Sequence, residues 1–281
     1  MLHSAIVAIN TRVLEATDIV GLRPLTARSI VLSILLGSRP PQLPVAALVE
    51  FTTLFGIAAG ACRTALSRMV ANGELDSVDG GYRLGPSLLE RQYQQQVGRS
   101  APSDPWDGTW WFSTVIADRR TVAERRLHRQ RMSGARFGEL RPDTWLRPAN
   151  VPAPTGLPLL TRGPVVSGDE IELVHRLWDL GDLDRRAEAL VQQLDVTGSE
   201  LRAGGEVDDA LPTAFVVLAA TLRHLRTEPQ LPASLAPTAG PARLRELYAE
   251  VERAFQERLA GFFARRDVTV SPAPGWSPGL A

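Results

Sequence analysis

The chain has 281 residues, of which 44% are hydrophobic, and its 31 basic side chains balance 31 acidic ones. This length and composition predict two or three domains with buried cores, which argues against a disordered chain. The formal net charge of zero argues against a protein that coats nucleic acid along its whole length, although it allows local basic patches.

The first residues and the single cysteine bear on the compartment. Polar side chains interrupt residues 1–24, so this N-terminal extension resembles neither a signal peptide nor a membrane span. Cys62 is the only cysteine, so no internal disulfide is possible, and its place on an apolar stripe indicates a core residue. Both features favour a cytoplasmic location.

Charge is unevenly distributed along the chain. Residues 25–72 carry four arginines and one acid, and residues 119–147 carry nine arginines and three acids. Residues 169–209 have the opposite bias, with twelve acids and four arginines. The neutral total therefore hides a basic front half and an acidic back half.

Three helices are predicted near the start of the chain. Thr26 is a suitable N-cap for a first helix that ends at Gly37. Pro44 is a suitable first residue for a second helix that runs to Phe55. A glycine turn then leads into a third helix, which stops at Asn72. This order is typical of a helix-turn-helix.

The third helix separates its side chains into two stripes. The apolar stripe contains Cys62, Ala65, Leu66, Met69 and Val70. The opposite stripe contains Gly60, Arg63, Thr64, Ser67, Arg68 and Ala71. The second stripe has no bulky apolar side chain and no acid, so it suits close approach to a nucleic-acid groove. The alternative is an ordinary solvent-exposed face of an amphipathic helix.

A hairpin is predicted directly after the third helix. The stretch ELDSVDGGYRLG reads as two short strands joined across Asp79-Gly80-Gly81. A helix-turn-helix followed by a hairpin is a winged helix. A polar helix from about Pro86 to Val97 and a linker rich in proline, serine and glycine follow.

The middle of the chain reads as strand, helix, strand, strand. The pattern predicts a strand at Trp110 to Ala117, a helix at Arg119 to Met132, and a hairpin across Arg141-Pro142-Asp143. A further strand is predicted at Pro164 to Ser167. This order predicts a small ferredoxin-like α/β sandwich.

The last part of the chain is predicted to be helical, so the whole protein is predicted to be α+β. Helices are expected at residues 170–178, 182–194, 208–226 and 241–265. The predicted organisation is an N-terminal extension at 1–24, a winged helix-turn-helix DNA-binding domain at 25–98, a ferredoxin-like central domain at 99–168, an α-helical C-terminal domain at 169–266 and a disordered tail at 267–281.

Seven stretches are specific in their ordered combination over residues 25 to 260. They are TARSIVLSILLG, GIAAGACRTALSRMVANGEL, WDGTWW, RFGELRPDTWLRP, LWDL, LRHLRTEPQLPASLAP and RLRELYAEV. In this order they resemble the PaaX-like family of bacterial transcriptional repressors of aromatic catabolism. The resemblance implies a homodimer that binds double-stranded operator DNA. It also implies release by an aryl-CoA thioester inducer such as phenylacetyl-CoA.

The resemblance, together with the exposed stripe of the third helix, points to eight residues that would contact DNA. They are Thr26, Arg28, Arg63, Thr64, Ser67, Arg68, Tyr82 and Arg83. The four on the third helix would face the groove, where an arginine can bind guanine O6 and N7. The two at the start of the first helix would bind phosphate, and the two in the wing would touch backbone or minor groove. No effector-binding residues are identified.

The arginines from Arg119 to Arg131 allow two interpretations. They form either a solvent-exposed helix face that pairs with the acidic half of the chain, or a phosphate site for DNA or for the CoA part of an inducer.

Two rival functions remain open. A ferredoxin-like middle also resembles small CRISPR adaptation nucleases, in which an Asp at the end of the first strand can bind a metal, and Asp118 stands about there. One carboxylate is weak support for metal-assisted cleavage, and no other catalytic motif appears, so no enzyme, cofactor or metal is predicted. A winged helix used only for protein docking would make Arg63 and Arg68 dispensable.

Overall fold

The structure is a computed structural model that describes most of the chain. The described residues are 25–38, 40–86, 88–89, 92, 106–116, 119–152, 157, 159–166, 168–203, 209–236 and 240–270. The N-terminal extension, Asp118, most of the predicted polar helix and most of the predicted tail lie outside these residues.

The protein is α+β, as predicted, and it divides into two units. One unit comprises Met1–Gln94, Gln192–Thr221 and Leu247–Ala281, and the other comprises Gln95–Val191 and Leu222–Glu246. The domain bounds predicted from the sequence stay predictions. No helix in the described residues combines the length and apolar character that a membrane crossing needs.

The first helix, α1, spans Ala27–Gly37 and begins at the predicted cap. Thr26 and Ser29 form a capping box in which each hydroxyl oxygen accepts a hydrogen bond from the backbone N–H of the other residue. Apolar side chains between Ile30 and Leu36 are buried. The helix is therefore held by its cap at one end and by its core face along its length.

The second and third helices complete the predicted group of three helices. Helix α2 spans Val45–Thr53, with Pro44 as its N-cap rather than its first residue. Helix α3 spans Ala59–Ala71, and Gly73 after it has a φ of 69°. Glycine adopts this left-handed conformation without strain, so it ends the helix where the sequence predicts.

A three-stranded antiparallel sheet accompanies these helices, and we refer to the hairpin that follows α3 as the wing. Strand β1 spans Gln42–Pro44, β2 spans Leu75–Val78 and β3 spans Gly81–Leu84, in the order β1-β3-β2. The predicted hairpin is confirmed, whereas β1 was not predicted. A Cβ at Gly81 would collide with the Leu43 carbonyl, so glycine lets β1 and β3 pair.

The second unit contains a four-stranded antiparallel sheet. Its strands are β4 at Thr109–Thr114, β5 at Gly138–Arg141, β6 at Thr144–Pro148 and β7 at Leu160–Pro164, in the order β5-β6-β4-β7. Helix α4, at Val122–Gly134, connects β4 to β5. The strand predicted at Pro164 to Ser167 is wrong, because the fourth strand ends at Pro164.

Each face of this sheet has its own apolar cluster. On one face, Trp110 packs with Val174 and Leu177 of helix α5, which spans Glu170–Leu177. On the other face, Trp145 packs with Met132 of α4. Alternation along a strand therefore separates the two layers.

Three long helices complete the chain, namely α6 at Leu180–Arg202, α7 at Ala210–Thr227 and α8 at Gly240–Ala264. Helix α6 is longer than predicted. Within the first unit, the Phe215 ring of α7 meets Phe51 and Phe55 edge-on, with ring centroids 5.2 and 5.4 Å apart. These contacts join the helix-turn-helix to α7.

Candidate nucleic-acid interface

The predicted outer stripe of α3 is exposed in the structure. Its exposed residues are Gly60, Arg63, Thr64, Ser67, Arg68 and Ala71. Helix α3 contains no acid. The exposed stripe is therefore small and positively charged, as the sequence predicts.

The inner stripe of α3 fixes this face in place. Cys62, Leu66 and Met69 are almost completely buried. The Cys62 thiol lies 3.8 Å from the Leu48 carbonyl oxygen, within reach of a weak hydrogen bond. The prediction that Cys62 is a core residue is confirmed, and α3 packs against both α1 and α2.

Arg63 and Arg68 supply the positive charge of the exposed stripe. Within the described residues, neither side chain makes an ion pair or a hydrogen bond. Each can therefore bind an external acceptor without first breaking an internal contact.

The two hydroxyls on this face are partly used within the helix. Thr64 donates to the Gly60 carbonyl at 2.9 Å, and Ser67 donates to the Arg63 carbonyl at 3.1 Å. Each oxygen keeps the ability to accept a hydrogen bond, but its proton already has a partner. In this conformation they suit acceptor contacts, such as those to base amino groups, better than contacts to phosphate.

The N-terminal end of α3 is a feature that the sequence interpretation missed. Its N-cap, Ala58, has no side chain that can accept from the first N–H groups, and the first turn contains no acid. A Cβ at Gly60 would meet nothing within 4 Å. The start of the helix is thus open to an external anion. A capping position occupied by alanine is the sequence signal for this feature.

Thr26 and Arg28 have internal roles at the start of α1. The Thr26 hydroxyl forms the cap, and the Arg28 guanidinium pairs with the Glu74 carboxylate. The hydrogen bond to Glu74 raises the pKa of Arg28. Since 55% of the Arg28 side chain is exposed, such a pair contributes little, and it can open to a phosphate at small cost. Both phosphate contacts stay predictions.

The wing residues are also placed. Arg83 pairs with Asp76 across the β2–β3 hairpin at 3.1 Å, and both side chains are about half exposed. Tyr82 is half-buried and pairs in register with Ser77 of β2 and Leu43 of β1. Contact of either residue with nucleic acid stays a prediction.

The arginines of residues 119–147 separate into paired and unpaired groups. Arg120 pairs with Asp143, and Arg129 pairs with Glu139. Arg119, Arg125 and Arg126 are exposed and have no partner in the described part of the chain.

Two further arginines of this segment, Arg136 and Arg147, are buried and donate to backbone carbonyls. Burial lowers the pKa of Arg136 to about 10 and that of Arg147 to about 9. These two are structural, so the basic bias of the segment is only partly a surface property.

Nothing in the structure tests the nuclease alternative, since Asp118 lies outside the described residues. In the described ranges, no group of three or more histidine, cysteine, aspartate or glutamate side chains is placed to hold a metal ion.

Comparisons with known proteins give a family and a structural relative. The family model described as PaaX-like protein matches residues 26–88, which contain helices α1 to α3 and strands β1 to β3. The uncharacterized protein Rv0674 from Mycobacterium tuberculosis is 32% identical, with 85% of this chain and 99% of that chain covered and a TM-score of 0.64. No curated protein matches the chain.

Proposed function

The chain belongs to the PaaX-like family, and on that premise we propose that it is a sequence-specific DNA-binding transcriptional regulator. The regulator acts in the cytoplasm as a repressor of an aromatic or acyl-CoA catabolic operon. The observation that carries this proposal is the outer face of α3, where Arg63 and Arg68 are exposed, unpaired in the described residues and free of neighbouring acids on the helix.

The size of this face supports binding in a DNA groove. The major groove is about 12 Å wide and admits one helix. Between its two arginines the outer face carries only small side chains and glycine, so the helix backbone can approach the base edges. Arginine can then bind guanine O6 and N7 with two hydrogen bonds. The open N-terminus of α3 supports a phosphate contact that would fix the orientation of the helix.

The proposal includes a homodimer at an inverted-repeat operator. Two copies of α3 related by a two-fold axis would enter half-sites about 34 Å apart, or a multiple of that distance. The strand order of the second unit supports a ferredoxin-like central domain. The family resemblance supports an aryl-CoA thioester, such as phenylacetyl-CoA, as inducer, which would lower operator affinity by preferring a different conformation.

The test is fluorescence anisotropy of the full chain on intergenic DNA from upstream of its own gene, at several salt concentrations. The variants are wild type and the double variant Arg63→Ala/Arg68→Ala. The matched control is Arg223→Ala/Arg253→Ala. These two arginines lie outside α3, are exposed and have no partner in the described residues, so the control removes the same charge from another part of the protein. We expect a loss of roughly 100-fold or more in the first variant and no more than twofold in the control.

Three outcomes would reject the proposal. Binding that is equally tight on unrelated DNA would remove sequence specificity. Absence of DNA binding by wild type, or equal losses in both double variants, would favour the docking or nuclease alternatives. Addition of phenylacetyl-CoA to the bound complex tests the inducer separately, because an unchanged anisotropy removes only that part.

A further inference from the structure

Helix α4 of the second unit is poorly packed for its position on a sheet. Among its thirteen residues only Met132 is buried, while Val122 and Leu127 are 74% and 59% exposed. A helix that covers a sheet normally buries an apolar stripe along its whole length. Only the C-terminal end of α4 does so here.

One side of this helix lines a cavity that is open to solvent. Glu124, Leu127, His128 and Arg131 follow each other at the three- and four-residue spacing of one helix face. These four residues line a cavity of about 550 Å³, together with Val115, Arg120 and Leu157. This face therefore borders an open space with the volume of a small-molecule site, and Leu127 is left 59% exposed in it.

The lining combines apolar and cationic groups. Val115, Leu127 and Leu157 supply the apolar part, and the guanidiniums of Arg120 and Arg131 supply positive charge. The Glu124 carboxylate accepts hydrogen bonds from the backbone N–H and hydroxyl of Thr121 at 2.7 and 2.8 Å. The one acid of the lining is thus held at the helix cap.

His128 lies near charged side chains of both signs. Burial lowers its pKa, the charges of Arg120 and Arg131 lower it further, and Glu139 raises it in part. Arg120 also pairs with Asp143, so Arg120 and Arg131 favour an anion beside the imidazole without being its only charged neighbours.

Buried polar atoms without a protein partner are concentrated in the layer between α4 and the sheet. In the described residues these include Trp111 Nε1, Ser113 Oγ, His128 Nε2, Trp145 Nε1 and Arg147 Nε. Trp145 packs on Met132 of α4, and strand alternation and register place Trp111, Ser113 and Arg147 on the same side. The His128 and Trp145 rings form a T-shaped contact with centroids 6.0 Å apart.

Most of these atoms can only donate a hydrogen bond. The indole and guanidinium nitrogens have no acceptor function, and the serine hydroxyl can also donate. Buried donors in proteins nearly always have an acceptor. His128 lines the cavity and its ring contacts Trp145, so a molecule that brings acceptor atoms to the cavity would meet His128 Nε2 at the edge of this donor-rich layer.

We propose that the cavity beneath α4 binds a small organic anion. Its apolar body contacts Val115, Leu127 and Leu157, and its anionic acceptor group lies at His128 Nε2, within the field of Arg120 and Arg131. Three apolar side chains and a volume of about 550 Å³ suit a short alkyl or single-ring body. This site does not depend on the proposed DNA binding.

The experiment uses indole N–H cross-peaks of the ¹⁵N-labelled full chain. The sequence has six tryptophans, so the spectrum is simple, and Trp111→Phe and Trp145→Phe variants assign the two relevant peaks. The probes share one alkyl chain and differ in the head group: octanoate, octyl phosphate, 1-octanol and octylammonium. We expect saturable shifts of the Trp111 and Trp145 peaks with an anionic probe, at least tenfold weaker binding of 1-octanol, and none of octylammonium.

A pair of variants places the ligand in the cavity. Leu127→Glu puts a carboxylate on the cavity lining, whereas Val122→Glu puts the same group on an exposed residue of the same helix outside the lining. Neither side chain is buried, so both variants are expected to fold, which the dispersion of the spectrum checks. We expect Leu127→Glu to weaken octanoate binding at least tenfold and Val122→Glu to change it less than twofold.

Several results would overturn the proposal. These are shifts that do not saturate with either anion, equal shifts with octylammonium, or equal effects of the two glutamate variants. An absence of any shift would mean that water alone satisfies the buried donors. Whether octanoate or octyl phosphate binds more tightly decides the head group, carboxylate or phosphate.

Discussion

Helices α3 and α4 have the same length and both carry exposed arginines, but they differ in how much of each helix is packed against the core. Each has thirteen residues. Helix α3 buries Cys62, Leu66 and Met69 along one stripe, whereas α4 buries only Met132. The arginines of α3 thus project from a helix that is packed along one side. Those of α4 belong to a helix that lines a cavity.

This difference separates two uses of positive charge. Recognition of base edges needs side chains held within a fraction of an ångström, which a continuous buried stripe provides. A cavity beside a helix instead provides space for a ligand, and the arginines next to it set the charge that the ligand must have. Arginine content alone does not distinguish the two, because what matters is what lies behind the helix.

The largest expected effect is on packing. Leu66 is completely buried, so Leu66→Ala should lower the free energy of unfolding by about 2–5 kcal/mol. Leu127→Ala removes the same atoms from an exposed side chain of α4, and the expected change is within about 0.5 kcal/mol. Urea denaturation of both variants, followed by circular dichroism, measures the difference. Similar losses in the two would show that α4 is packed as firmly as α3.

The next effect concerns salt. Each arginine–phosphate contact with DNA steepens the dependence of affinity on salt, so Arg63→Ala/Arg68→Ala should reduce the slope of log K against log salt by about 1 to 2. Arg125→Ala/Arg126→Ala removes two exposed arginines of α4 that have no partner in the described part of the chain, and we expect an unchanged slope. Anisotropy titrations from low to high salt measure both slopes. A lower slope for the α4 variant would give that helix a share in DNA binding.

A smaller effect tests close approach of the α3 backbone. A methyl group at Gly60 meets nothing within 4 Å, so Gly60→Ala should leave stability unchanged or raise it by up to about 1 kcal/mol. If α3 enters a groove, the same methyl group should weaken operator binding by about tenfold, since a mismatch at one contact costs about 1–3 kcal/mol.

Gly134 of α4 is the matched control for this substitution. A methyl group there also has free space, so Gly134→Ala should have no effect on operator binding. Tighter or unchanged operator binding by Gly60→Ala would mean that the start of α3 does not lie against DNA.

The stripe of α3 could be predicted from the sequence because one regular period defines it. Cys62, Leu66 and Met69 repeat at helical spacing, and Gly73 marks the end. For α4 the same method predicts a helix but not its surroundings. Whether Leu127 meets a neighbour or a cavity depends on Val115 and Leu157, which belong to other segments of the chain.

Short edge strands and ion pairs between residues far apart in sequence are two further features that the sequence does not predict. Strand β1 has three residues and ends in proline, so it has no alternation to recognise. The end of β7 was misplaced because Val165 and Val166 look more strand-like than Thr161 and Arg162, which the strand contains. The Arg28–Glu74 pair joins residues that are far apart in sequence, and no local pattern predicts it.

The smallest effect distinguishes the two helices by pH. Burial, with Arg120 and Arg131, lowers the pKa of His128 in the folded protein, while the unfolded chain keeps an ordinary value near 6.5. Below that value the unfolded state binds more protons, so the free energy of unfolding should fall as the pH drops from 6.5 through the folded-state pKa. Glu139 opposes this shift only in part. His128→Gln should weaken the dependence, and part of it should survive because burial also lowers the pKa of His224. His175→Gln, on an exposed residue of α5, should keep the full dependence. Urea denaturation at pH 5 and pH 7 measures the dependence in each variant.

An equal dependence in wild type and His128→Gln would assign it wholly to groups outside α4. Helix α3 contains no histidine, so the packing of α3 against the core should not depend on the protonation of an imidazole within this helix.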